Sequence, residues 1–136
     1  MLTKDTRSAR IELHPSGCVI VRVKKHVPQT VEDARENVAA SIELCGGIRT
    51  NPVLVDITRT PPLASEVRHY YVGGALANNF TALGLLIEPS PMGRMMGSVF
   101  FRMIEAAKHD GEGAAIPTQL FEDEATAIDW LTSGTR

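Results

Sequence analysis

A chain of 136 residues with 43% hydrophobic and 22% charged residues is long enough for one domain with its own core, without metal or disulfide staples. Its net charge of −2 supplies no basic face to neutralise phosphates, and 5% aromatic residues supply no stacking platform. Nucleic acid is therefore excluded as the expected partner.

Residues 1–9, "MLTKDTRSA", contain no apolar h-region and read as a flexible lead into the domain, and no run approaches the length of a membrane span. The expectation is a cytoplasmic protein with no integral membrane segment. Next, "IELHPSGCVIVRV" reads as two strands around a Pro15-Ser16-Gly17 turn, the second rich in β-branched residues. Thr30 is placed to cap a helix with Glu32 and Asp33 in its first turn. Val31, Ala34, Val38, Ile42 and Cys45 follow helical spacing, and Gly46-Gly47 is expected to end that helix. "PVLVDI" is a short apolar run suited to a strand buried on both faces.

After the loop "TRTPPLA", Ser65 is expected to cap a second helix through "EVRHYYVGGALANN", and "TALGLLIE" reads as another buried strand. Ser90 is placed as the cap of a third helix, with Pro91 at its first position, running to about Lys108. "HDGEGAA" reads as a flexible connection and "PTQLFE" as a last strand. "DEATAIDWL" is a closing helix with Ala125, Ile128, Trp130 and Leu131 as its apolar members, followed by a short tail, 133–136. The order β-β-α-β-α-β-α-β-α, about five strands and four helices, implies a mainly parallel sheet opened by an antiparallel hairpin.

Motifs for catalysis are missing: there is no G-x-S-x-G, H-E-x-x-H, P-loop or dinucleotide fingerprint. Ser65 and His69 stand four apart on one helix, with Asp56 on the neighbouring strand, but a capping serine makes a poor nucleophile. No catalytic residue is assigned. Cys18 and Cys45 lack Cys-x-x-Cys spacing and read as reduced thiols, and the histidines lack metal spacing, so neither metal nor cofactor is expected. In a parallel sheet, the carboxyl ends of "VLVDI" and "LGLLI" share the edge where ligands tend to bind. Thr58, Arg59, Thr60, Ser65, Ser90 and Arg94 gather there as candidates for a small anion or an acidic group, unless the arginines are merely solvated or neutralise Glu66 and Glu88.

The ending "LFEDEATAIDWL" and the stretch "LLIEPSPMGRMMGSVFF" resemble short bacterial SpoIIAA-like proteins of the STAS superfamily, and the resemblance covers about residues 10–132. It implies a SpoIIAA-like fold and leaves the activity open. STAS antagonists carry a phosphorylatable serine nine residues after the aspartate that ends a strand, and here Ser65 follows Asp56 at that distance. The flanks differ: Ala64-Ser65-Glu66-Val67 stands where the family has Asp-Ser-Ser-Gly, and Glu66 would repel a phosphate. An N-cap is the expected role of Ser65.

The third helix is the unusual one. It holds four of the five methionines. At about 100° per residue, Arg94, Ser98, Arg102 and Glu105 share a polar arc of roughly 80°, and the remaining surface is apolar. That is around twice the stripe one sheet face requires. Met92, Met95, Met96, Val99, Phe101 and Met103 are therefore candidates for an interface, against the alternatives of a buried central helix or a lipid-like ligand surface. Gly93 and Gly97 each cost the helix about 1 kcal/mol relative to Ala, so a backbone or ligand is expected to approach closely along that line, and a partner is the first place to look. The expected function is a non-catalytic regulatory or binding module, acting on a protein partner or on itself as a homodimer. The alternative is a small-molecule or lipid-like ligand-binding protein using the apolar face of the 91–108 helix.

Overall fold

The alternation of strand and helix is realised in a six-stranded sheet whose spatial order follows the chain. The computed structural model describes residues 2–47, 49–58, 63–109 and 116–133. Its strands are β1 (Leu2–Asp5), β2 (Ala9–Leu13), β3 (Val19–Val23), β4 (Val53–Asp56), β5 (Leu83–Leu86) and β6 (Thr118–Phe121). Its helices are α1 (Val31–Leu44), α2 (Ser65–Tyr70), α3 (Pro91–His109) and α4 (Glu124–Thr132). The first two pairings, β1–β2 and β2–β3, are antiparallel, and β3–β4, β4–β5 and β5–β6 are parallel.

Each crossover advances the sheet by one strand in the same direction. Right-handed connections then place α1, α2 and α3 on one face. The core there joins Ile11, Val21, Val53, Leu83 and Leu85 of the sheet to Ala34 and Val38 of α1, Val67 of α2, and Phe100 and Ile104 of α3. Helix α4 follows β6 and turns back over the other face. Its Ala127 and Leu131 pack on Cys18, Ile20, Leu54, Leu86 and Phe121. Ala125, expected among the inward members, is exposed, and Ala127 takes that role.

The strand count corrects the sequence reading. Part of the segment 1–9, expected to be flexible, forms the edge strand β1, with Leu2 opposite Leu13 and Asp5 opposite Arg10. Lys4 forms an ion pair with Glu43 of α1, which ties the strand to the helix layer. The tail 134–136 and residues 110–115 of the expected connection lie outside the described residues.

Helix α1 starts as its sequence predicts. Thr30 Oγ1 accepts from Asp33 N at 3.2 Å, and Asp33 Oδ2 accepts from Thr30 N at 2.9 Å, a reciprocal capping box. Arg7 Nε donates to Asp33 Oδ1 at 2.8 Å, and this contact, with the cap, holds the Asp33 carboxyl far below its ordinary value. The helix stops at Leu44 with an extended Cys45, one residue before the glycine pair expected to end it.

The second helix departs further from expectation. Ala64, not Ser65, occupies the N-cap and makes no side-chain cap bond. The helix then widens into a π-type turn, Tyr71–Ala75, and breaks at Gly74, whose φ of 113° is left-handed. What read as one helix is a short helix and a kinked turn.

On the α4 face, Arg22 of β3 links three elements. Its Nε donates to Glu12 Oε2 at 2.7 Å, and its Nη1 donates to Glu124 Oε1 at 2.6 Å and to Asp56 Oδ2 at 3.3 Å. The bonds to Glu124 and Glu12 outweigh burial and raise the Arg22 pKa further above its ordinary value. This network ties β2, β3, β4 and the start of α4 together.

Candidate functional site: the open flank of the third helix

Ser90 Oγ accepts from Gly93 N at 3.1 Å, and Pro91 opens α3 as its missing N–H allows. The cap sets the helix directly on the carboxyl end of β5. A Cβ on Gly93 would lie 2.2 Å from the Glu88 carbonyl oxygen, and one on Gly97 would lie 2.7 Å from Ile87 Cγ2. Both glycines are buried. The close approach expected of a partner is thus made by the protein's own chain. The glycines exist so that α3 can lie against the segment that leads into it.

Gly93, Gly97, Phe100 and Ile104 form the inward line of α3. Met92 remains 60% exposed, Met95 58% and Val99 42%, on the flank toward α2. Met96 and Met103 on the same flank are half-buried. Phe101, expected to join them, is half-buried on the opposite flank, as its angular position of about 180° from Met92 dictates.

Two depressions border this flank. One, of about 150 Å³, is lined by Ile57, Leu63, Arg68, Met95, Met96, Val99 and Phe100. The other, of about 230 Å³, is lined by Ile57, Thr58, Ile87, Glu88, Met92, Gly93 and Met96. Ile57 and Met96 belong to both, so they are neighbours along the helix. Both hollows sit at the carboxyl ends of β4 and β5, the edge at which binding was expected.

Each hollow carries one charge. Arg68 Nη1 donates to the Leu63 carbonyl at 2.7 Å, while its Nε is buried without a hydrogen-bond partner among the described residues. No described carboxylate lies within ion-pair distance of Arg68, and no described cation lies within that distance of Glu88. The sequence reading missed Arg68. A signal existed: positions 64, 65, 71 and 72, its neighbours on the helix surface, carry no acidic residue.

Among the described residues, the anion candidates do not converge. Thr58 donates through both N (3.0 Å) and Oγ1 (2.6 Å) to Asp56 Oδ1. Arg59 and Thr60 lie outside the described residues. Ser65 Oγ lies 3.3 Å from His69 Nδ1, which also approaches the Ser65 carbonyl at 2.8 Å. Ser90 is occupied by its capping bond. Arg94 pairs with Glu122 at 3.0 Å on the far flank, and so neutralises neither Glu66 nor Glu88, the carboxylates expected for it. That flank holds a third depression, of about 470 Å³, in which Arg94 and Glu122 satisfy each other and Asp123 accepts from Thr126 N at 2.8 Å. Each of its charged groups is already bonded within the protein. Asp56 is committed to Arg22 and Thr58, so the Ser65, His69 and Asp56 side chains form no relay.

Among the described residues, no three His, Cys, Asp or Glu side chains converge as metal ligands, and no helix is long and apolar enough to cross a membrane. Burial pushes the Cys18 thiol up to about 12, and Cys45, partly covered, is also raised. No curated protein and no solved structure matches the chain significantly. Residues 11–135 match the family described as a domain of unknown function, DUF7793, and the chain belongs to that family.

Proposed function

We propose that this DUF7793 domain is a non-catalytic binding module of SpoIIAA-like type that works in the cytoplasm through protein–protein contacts on the open flank of α3. The order of strands and helices supports the fold assignment. The observation that carries the function is the exposure of Met92, Met95 and Val99 beside two apolar hollows, on a helix whose glycines are already accounted for internally. Large apolar side chains gathered on one flank mark a contact surface, and methionine adapts to the shape of what it meets. A small apolar ligand is the second reading, favoured by the 150 Å³ hollow. That volume admits a benzene-sized group.

The test replaces Met95 with a photo-crosslinking amino acid in the native cell, and places the same group at the exposed Arg10 on the opposite sheet face as a control. A discrete protein adduct at position 95, and none at position 10, is expected. Absence of any adduct at position 95 overturns the reading.

A further inference from the structure

We propose that the occupant of this flank is a second copy of the same chain, with two α3 helices packed antiparallel about a two-fold axis near Met95 and Met96. This rests on reading the flank as a protein contact. An isologous interface requires one patch to match itself after rotation, so each unmatched feature must find its complement elsewhere on the same patch. Four features here do so.

Met92 and Met95 protrude, while the hollows on either side of Met96 are recessed and apolar. The patch therefore carries both knobs and holes. Arg68 lines the hollow at the Val99 end, and Glu88 lines the hollow at the Met92 end. Those ends are about 10 Å apart along the helix, at about 1.5 Å per residue. Neither charge has a partner of opposite sign within the described monomer. Reversing one α3 over the other brings the Arg68 end of one copy to the Glu88 end of its partner, and the same contact recurs at the other end by symmetry. A parallel arrangement would set like charges together, which costs affinity. The far flank offers no such complementarity, because Arg94 and Glu122 are already paired.

Analytical ultracentrifugation of the full chain across the micromolar range tests this, with circular dichroism to confirm that each variant is folded. Wild type is expected to show a concentration-dependent dimer. Arg68→Glu and Glu88→Arg each act twice in a two-fold dimer, and each is expected to raise the dissociation constant about tenfold. The double variant Arg68→Glu/Glu88→Arg restores opposite charges and is expected to return toward wild type. If a reversal fails to fold, Arg68→Gln, Glu88→Gln and their combination give the same coupling as non-additive losses. A monomer throughout the range overturns the inference, as does a dimer indifferent to these substitutions or a double variant weaker than both singles. The crosslink at position 95 separates the two levels. An adduct with a different protein, together with a monomeric chain, keeps the binding reading and removes the second copy, and no adduct removes both.

Discussion

Gly93→Ala is the substitution whose outcome the packing of α3 determines most directly. On helix propensity alone it should stabilise the protein by about 1 kcal/mol. The structure opposes that gain with a contact no side chain can relieve. The new Cβ would lie 2.2 Å from the Glu88 carbonyl oxygen, which is backbone, and that oxygen already accepts from Ser90 N at 2.8 Å. Relief requires α3 to lift off β5, which would strain the Ser90 cap and the seating of Phe100 and Ile104. Overpacking of this kind costs about 1–3 kcal/mol, occasionally more, and the fixed backbone puts the cost at the upper end. We expect a net loss of about 2 kcal/mol, and a fall in melting temperature of about 8 °C for a domain of this size. Gly97→Ala meets side chains rather than backbone, Ile87 Cγ2 at 2.7 Å with Ile87 Cδ1 at 3.3 Å and Leu120 Cδ2 at 3.4 Å, and should lose less than Gly93→Ala. Gly73→Ala has open space around its Cβ and an ordinary φ of −74°, so it should be neutral or slightly stabilising. Urea unfolding and calorimetry of the three variants measure the ranking. A Gly93→Ala protein as stable as wild type would refute the placement of α3 on β5.

Other consequences are equally open to measurement. Thr30→Ala removes the cap of α1 and should cost about 1 kcal/mol in urea unfolding at neutral pH. Asp33 has a depressed native pKa, so its contribution is complete above the ordinary carboxylate range, about pH 4, and is lost as pH falls below it. Asp33→Asn should therefore lower stability at pH 7 and flatten its decline toward pH 3. Arg22→Gln leaves Glu12, Asp56 and Glu124 facing one another. The loss should be about 2 kcal/mol in urea unfolding at pH 7, between the values for exposed and buried pairs. An unfolding midpoint unchanged from wild type would count against that network. Cys18, fully buried with its thiol pushed up to about 12, should resist alkylation at pH 8 in the native protein and react only on unfolding, as mass spectrometry of labelled peptides would show.

Local chemistry made much of the architecture legible. The Pro15-Ser16-Gly17 turn, the Thr30 cap, Ser90-Pro91 and the apolar runs of β4 and β5 act within a few residues, so they can be read in order along the chain. Strand β1 could not be read that way, because Leu2 is 61% exposed and its neighbours are polar; it becomes a strand only through its pairing with β2. Ser65 has the residue type of a cap but not the position, since tertiary packing starts α2 one residue earlier.

The width of the apolar surface on α3 was written in the sequence, as was the strain implied by Gly93 and Gly97. Which flank would stay open was not. That depended on the right-handed crossover that sets α3 over β5, and on the seating of Gly97 against Ile87 and Leu120. The pairing of Arg94 with Glu122, and the isolation of Arg68 and Glu88, depend on the same long-range placement. Residue spacing determines which faces a helix can have, and only the packed sheet decides which of them meets the core and which is left for a partner.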